Sequence, residues 1–491
     1  MVYEEDRSTD DKRKEAISLT MEQSTRIHFI GIGGVGMSGL AQICLTAGKP
    51  ISGSDVASNA NTKSLTAAGA RIFIGHSASN IPADTAKVIV STAISPENEE
   101  LQEARRRDLP ICHRSDLLAE LFLDARTGIA VAGCHGKTTV SSMISTMLVE
   151  AGQDPTCVVG GYVPALNGNA RAGRSGLFVA EADESDATFL KYFPHSAIIT
   201  NIDNDHMDHY ESLDAIVKAF EIFAGHITPS GTLYICTDDP IARNMALPEN
   251  RRIITYGISN PADIMASEID LQPFGSRFTL IIGGVLRGTF ELRVPGRHNV
   301  LNALPVIAFG LDIGLTVRQI QDGLRRFRGA GRRFELKGSF DGITVIDDYG
   351  HHPNEISATL AAARSLNANR VIVVFQPHRY TRTQLLSREF GRCFSDCDKL
   401  FITEIYAASE QPISGVTSKL ILDQMPVAER RKAKLVRTSD DLAFQLMQML
   451  EPGDVVFTLG AGTITNLGTS LLERMRNRAQ QLVELTAQPA V

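Results

Sequence analysis

The sequence predicts an α/β protein of three domains, each built on a largely parallel sheet: Rossmann-like first, phosphate-loop-type second, Rossmann-like third. Three observations predict this. Short β-branched runs alternate with amphipathic stretches, the pattern of βαβ units. The alternation recurs in three blocks of different character, without a short internal repeat. The length of 491 residues, with 43% hydrophobic and 21% charged residues, suits about three globular domains.

The first block, 25–126, opens with a strand over Arg26–Ile30, a glycine turn and a helix from Met37 to Ala47. Strands follow at Arg71–Ile74 and Lys87–Ser91, and a charged surface helix at Glu97–Asp108. The second block, 127–328, begins with a strand over Gly128–Ala132, a tight glycine loop and a helix over Thr138–Glu150. Buried strands are expected at Leu177–Glu181, Ala197–Asn201 and Thr232–Cys236, and hairpins between Arg251 and Leu292. The third block, 329–491, starts at a glycine-rich hinge around Gly329, with strands at Ile343–Asp347, Arg370–Phe375, Lys399–Thr403 and Asp454–Leu459. Residues 1–24 are charged and polar by turns and read as a disordered tail, not a secretion signal.

A net charge of -7 tilts against a nucleic-acid partner. No apolar run approaches the ~20 residues that span a bilayer, so no membrane partner is expected. The seven cysteines show no C-x-x-C pair and read as reduced thiols, which points to a cytoplasmic protein.

The strongest motif runs Gly133, Cys134, His135, Gly136, Lys137, Thr138, Thr139 between an apolar strand and a helix start. Glycines there let backbone N–H groups turn onto phosphate oxygens, Lys137 adds a point charge, and Thr138 can place its hydroxyl on Mg²⁺. Only two residues separate Gly133 and Gly136, where the common loop has four. The bland alternative is a strand–helix turn with a solvated lysine; strand, helix and Gly-Lys-Thr-Thr together favour ATP. Cys134 sits at that helix N-terminus beside Lys137, which favours a thiolate and predicts inactivation by thiol-alkylating reagents with protection by ATP; a buried, inert cysteine is the equal alternative.

Gly31, Gly33 and Gly36 follow a strand, and Asp55 comes nineteen positions later, placed to hold a ribose hydroxyl. Alone this suggests an NAD-dependent oxidoreductase. Beside a phosphate loop the same cradle suits any pyrophosphate, including that of a UDP-sugar. Carboxylates from Glu181 to Asp186 end an apolar strand, where Glu181 can hold Mg²⁺. A second polar strand end, 200–209, offers His206 as a magnesium or phosphate contact, while a zinc pair with His209 lacks further ligands. In the third block Asp347–His352 and Gln376–Arg382 leave strand ends, and arginines there can clamp a carboxylate. A helix cap or a solvated charge run is the competing account of each.

Taken in order, these motifs resemble the bacterial amide-bond ligases that build the peptidoglycan stem peptide. Gly296, Arg297, His298 and Asn302, and then Gly331, Arg332 and Arg333, add to the match, which extends from Thr25 to Glu473. The resemblance implies that the first domain holds a UDP-sugar, the second ATP and the third an amino acid, closing on the others. It implies ATP contacts from Gly133 to Thr139, with His298, Asn302 and Arg332 or Arg333 facing the nucleotide. It implies Mg²⁺ at Thr138, Glu181 and His206, and catalytic roles for Lys137, Glu181, His206, Arg379 and Arg382. Substrate would meet Gly31, Gly33, Gly36, Ser38, Ser54, Asp55, Ser91 and Thr92 in the first domain, and Tyr349, His351 and His378 in the third. The members most alike join L-alanine to UDP-N-acetylmuramate through an acyl phosphate, as a monomer or homodimer. Where sister ligases carry a carbamoylated lysine, an ungapped reading puts Glu221. The readings left beside this one are a ligase that attaches a recycled tripeptide to the same sugar nucleotide, the oxidoreductase, and a nucleotide-gated binding protein.

Overall fold

Strands β1 (Arg26–Ile30), β2 (Ile51–Asp55), β3 (Arg71–Ile74), β4 (Thr85–Val90) and β5 (Ile111–His113) form a first sheet in the order β3-β2-β1-β4-β5. Every pair in it is parallel. The order reverses between β1 and β4, so the chain leaves the two central strands in opposite directions and opens a crevice at their carboxyl ends. This is a computed structural model; it describes residues 25–204, 210–408, 410–438 and 440–487. The expectations for the 1–24 tail and for His206 lie outside the described residues.

The chain divides into two compact units, one running through Met265 with Ile282–Gly284 and Asn302–Arg326, the other holding Ala266–Ile281, Val285–Leu301 and the chain from Phe327. The first unit carries the sheet above and most of a second. In that second sheet, β6 (Thr127–Ala132), β7 (Thr156–Val163), β8 (Gly168–Arg171), β9 (Leu177–Glu181), β10 (Ser196–Ile199), β11 (Thr232–Cys236) and β12 (Arg252–Gly257) run in the order β12-β11-β10-β6-β9-β7-β8. Strand β6 is flanked by parallel β9 and β10. Ile129, Ala130, Val131 and Ala132 are fully buried, as a central parallel strand covered on both faces requires. Within this unit the helix Val35–Thr46 packs on β7 and β8, and Asn169 Nδ2 donates to the Val35 carbonyl at 2.6 Å.

The second unit holds most of β13 (Ile264–Gln272), its neighbour β14 (Gly275–Ile282) and then β15 (Val285–Leu292), where hairpins are expected, and a third sheet. Its strands are β16 (Glu335–Phe340), β17 (Ile343–Asp348), β18 (Arg370–Phe375), β19 (Lys399–Ile402), β20 (Ala433–Leu435) and β21 (Asp454–Leu459), in the order β16-β17-β21-β18-β19-β20. Only β16 with β17 is antiparallel. Alternate residues of β18 serve two cores: Val371, Val373 and Phe375 on one face, Ile372 and Val374 on the other. That two-faced burial explains the unbroken apolar run in the sequence.

Among the described residues no helix is long and apolar enough to cross a membrane.

Candidate active site

Three adjoining strand ends build the centre of the first unit. Strand β6 releases the loop Gly133–Gly136 into the helix Lys137–Glu150. Gly133 at φ +125° and Gly136 at φ +86° hold left-handed backbone that side chains resist. A Cβ on Gly133 would collide with Thr200 Oγ1, and one on Gly136 would lie 2.9 Å from Asn302 Oδ1. From the end of β10, Asn201 Oδ1 accepts the His135 N–H at 2.8 Å, its amide donates to the His135 carbonyl at 2.9 Å, and Thr200 Oγ1 donates to the same carbonyl at 2.6 Å. The His135 ring meets Asp203 at 3.0 Å. The loop is thus braced from the neighbouring strand, and Cys134 is buried inside it, its sulfur accepting the Asp203 N–H at 3.1 Å.

Lys137 turns back across this loop. Its ammonium donates to the Gly133 carbonyl at 2.7 Å and to both oxygens of Glu184, at 2.9 and 2.8 Å. Desolvation pulls its pKa down, but the charges of Glu184 and Asp183 more than offset that and hold it above the ordinary lysine value. From the end of β9, Glu181 accepts from Thr138 Oγ1 at 3.1 Å, Ser141 Oγ at 3.0 Å and the Gly160 N–H at 2.6 Å. Burial raises the Glu181 carboxyl above its usual range, against those hydrogen bonds and the charge of Lys137. A half-buried carboxylate beside a threonine hydroxyl at a phosphate loop is a hard oxygen donor set, which fits Mg²⁺. Thr139 is in the first turn of the same helix.

At the first sheet, the turn from Gly31 to Gly36 leaves β1 and Ser91–Thr92 leaves the neighbouring β4, so the two meet at one carboxyl edge. The Gly31 and Ile32 N–H groups donate to the Ser54 carbonyl. Asp55 takes the Gly33 N–H at 2.8 Å, so the acid shapes the turn itself. Two hydroxyls face inward: Ser38 Oγ donates to the Val35 carbonyl at 3.0 Å, and Ser54 Oγ to buried Glu100 at 2.5 Å.

The second unit gathers its residues at the ends of β17 and β18. The Arg332 guanidinium is taken up by Asp347 at 2.9 Å and the Gly460 carbonyl at 2.5 Å. Arg333 lies 3.5 Å from Glu355, and both arginines stand 5.1 Å over the Tyr349 ring. His351 meets His378 edge-on at 5.7 Å, and His378 stacks on Tyr406 at 5.7 Å. Arg382 Nη1 is 3.3 Å from His378 Nδ1. Arg379 has φ +69°, fixed by its N–H donating to the Tyr406 carbonyl at 2.8 Å. Burial lifts Asp348 to about 6, despite Arg333 and the N–H groups of Phe334 and Gly350. Burial, then Arg333, lowers His298 to about 4.

Glu221 is committed elsewhere, to Lys218 at 3.0 Å and the Ala246 N–H at 2.9 Å. Sequence reasoning missed Glu184, Ser141 and Gly160 around the phosphate loop, and Glu410, which accepts from the Tyr380 N–H at 2.6 Å and Thr381. Glu184 stood within a recognised acidic run; its pairing with Lys137 was the missing signal.

The sequence matches three descriptions: Mur ligase family, catalytic domain over 26–126; Mur ligase middle domain over 131–310; and Mur ligase, glutamate ligase domain over 332–462. It is 46% identical over 461 residues to the UDP-N-acetylmuramate--L-alanine ligase of Syntrophus aciditrophicus (strain SB), covering 94% of this chain and 96% of that one. A protein of the same name from Solibacter usitatus (strain Ellin6076) is 46% identical over 472 residues, covering 96% and 99%. The crystal structure of UDP-N-acetylmuramate-alanine ligase MurC from Thermotoga maritima superposes with a TM-score of 0.78 at 29% identity, covering 92% of this chain and 99% of that one.

Proposed function

The chain belongs to the Mur ligase family, and on that premise we propose that it is an ATP-dependent ligase joining UDP-N-acetylmuramate to L-alanine in peptidoglycan precursor synthesis. The observation that carries this is the braced phosphate loop, with Glu181 against Thr138 at the adjoining strand end, in a chain 46% identical to ligases of that name. Residues 25–126 take the sugar nucleotide, 127–328 take ATP, and 329–491 take the amino acid.

In the first step a lactyl carboxylate oxygen attacks the γ-phosphorus of ATP, giving an acyl phosphate and ADP. The neutral amine of alanine then attacks the acyl carbon, and the tetrahedral intermediate expels phosphate and loses a proton. Such phosphoryl transfer asks little covalent work of the protein; it asks for positioning and for positive charge on the migrating group. Lys137 supplies a charge fixed by Gly133 and Glu184, and the Gly133–Gly136 backbone cradles the phosphates. Thr138, Glu181 and His206 would hold Mg²⁺, which when bound neutralises phosphate charge. Tyr349, His351, His378, Arg379 and Arg382 receive the amino acid, with the arginines on its carboxylate. Asn302, beside Gly136, would face the nucleotide; in the second unit Arg332 spends its donors on Asp347 and Gly460, which leaves Arg333 as the arginine of the pair with a nucleotide role.

Phosphate release, with a panel of amino acids and the stem tripeptide, tests the reading. Release should require UDP-N-acetylmuramate and an amino acid together, with L-alanine best. Release without the sugar nucleotide, or preference for the tripeptide, would sink it.

A further inference from the structure

Arg114 is used by nothing described so far. It follows β5 and opens the helix Arg114–Asp124, on the carboxyl edge of the sheet from which Gly31–Gly36 also springs. Its Nη1 lies 3.3 Å from where a Cβ on Gly36 would stand, so the guanidinium rests against the glycine turn. On the other side Nη2 is 3.9 Å from Asp183 Oδ2, a long contact with a carboxylate whose side chain is 41% exposed. Asp183 belongs to the segment that carries Glu181 and Glu184 beside the phosphate loop. A guanidinium has five N–H donors, yet among the described residues that of Arg114 donates no hydrogen bond.

Two further features leave room for an anion here. The helix Val35–Thr46 has no side-chain cap and no acidic residue in its first turn; Asp55 takes the Gly33 N–H just before it, and no side chain caps the first turn itself. His113 behind it uses Nδ1 on Ser115 at 2.7 Å, while its Nε2 is buried without a hydrogen-bond partner among the described residues. Burial, and then Arg114, holds that imidazole below its ordinary pKa, so it adds no rival charge.

We propose that Arg114 is a substrate-binding residue that grips an oxyanion of the sugar nucleotide between the first glycine turn and the Glu181–Asp186 strand end. The inference rests on reading Gly31–Gly36 as the sugar-nucleotide turn. A planar fork suits either the diphosphate or the lactyl carboxylate bidentately. Gly36 points to the first and Asp183, nearer the phosphoryl-transfer centre, to the second.

The test is calorimetric binding of UDP-N-acetylmuramate, UDP-N-acetylglucosamine and UDP to the full-length protein and to Arg114→Ala and Arg114→Lys. Losing a charge-assisted pair should weaken UDP-N-acetylmuramate by about tenfold to a hundredfold in the alanine variant. Lysine should restore part of that, with the KM for ATP and alanine moved less than about twofold. Equal weakening of all three ligands assigns the grip to the diphosphate; weakening of UDP-N-acetylmuramate alone assigns it to the carboxylate. Should the alanine variant not fold, the lysine variant carries the measurement, since it keeps the charge and loses the fork. Parental affinity for all three ligands in the folded variants, or a loss confined to ATP, overturns the proposal while leaving the glycine turn's role intact. A parental protein that binds none of the three overturns both.

Discussion

Lys137 donates to both carboxylate oxygens of Glu184, at 2.9 and 2.8 Å, with 15% of the lysine side chain and 1% of the glutamate side chain exposed. A carboxylate thus holds the ammonium that a phosphate loop offers to ATP. The pair keeps the lysine charged in a desolvated place, and incoming phosphates must share or replace that partner.

It follows that Lys137→Ala should act on stability as well as chemistry. Removing one member of a buried pair strands the other, at a cost of about 3–5 kcal/mol. Lys137→Ala with Glu184→Gln should regain most of that in urea unfolding. Neither variant should release phosphate, and both should bind UDP-N-acetylmuramate as the parent does. Parental ATP turnover in Lys137→Ala would refute the phosphate-loop assignment.

Gly133→Ala should fail for a different reason. At φ +125° an L side chain is strained, and its Cβ would press on Thr200 Oγ1. That hydroxyl braces the loop through the His135 carbonyl. ATP binding should fall by more than about tenfold, roughly 1.4 kcal/mol, while UDP-sugar affinity holds. An alanine variant with parental ATP affinity would show that the loop tolerates another path.

The sequence predicts a reactive Cys134, and the fold changes the expected order of labelling. Six of the seven cysteines are buried, Cys134 among them, and Cys112 is half-buried. Alkylation of the native protein, read by peptide mass mapping, should therefore modify Cys112 first and leave most activity in place. Cys134 should react slowly and be slowed further by ATP. Inactivation that tracks early Cys134 labelling would restore the sequence-based expectation.

Much of the fold was legible because parallel strands covered on both faces write themselves as apolar runs. Leu177–Glu181, Thr232–Cys236, Arg370–Phe375 and Asp454–Leu459 stand where the pattern puts them. The short edge strands Ile111–His113 and Ala433–Leu435, half-buried to exposed, carry no such run and were missed. In the site, glycines and Gly-Lys-Thr-Thr are local signals and were read. Glu184, forty-seven positions from Lys137, and Arg114, whose neighbours Gly36 and Asp183 lie far away in sequence, are set by tertiary placement that no local spacing encodes. Ser54 and Asp55 were noticed for the right edge of the sheet, but they bond inward, to Glu100 and Gly33.

Stability should depend on pH through two groups of the second unit, in opposite senses. His298 is held down at about 4. Below its ordinary value near 6.5 the unfolded chain takes up a proton that the native state refuses, so stability is lost as pH falls from there towards 4. Asp348 is lifted to about 6, so the native state takes up a proton first and gains stability as pH falls through 6. His298→Asn should therefore lose less unfolding free energy than the parent between pH 7 and 4.5, by about 2–3 kcal/mol, and Asp348→Asn should lose more, by about 2. Parallel curves for parent and variants would mean that neither group is perturbed.

The acceptor site proposed at Arg379 and Arg382 makes the last prediction. Arg379 is held in left-handed backbone by Tyr406, and Arg382 reaches the His378 ring. Tyr380 and Thr381 between them are tied to Glu410, so the two arginines are presented from a fixed turn. A rigid cationic clamp on the α-carboxylate requires an α-amino acid and fixes its chirality, because D-alanine would exchange methyl and amine against the clamp. It does not by itself choose the side chain. A missing methyl group is worth only about 1–3 kcal/mol of discrimination, so glycine should be used poorly, serine next to alanine, and larger side chains hardly at all. Arg379→Ala should raise the KM for alanine by about tenfold or more, and that for ATP far less. Glu410→Gln, which loosens the turn without removing a cation, should give a smaller change in the same direction. Equal use of D-alanine, or an unchanged alanine KM in Arg379→Ala, would place the amino acid somewhere else.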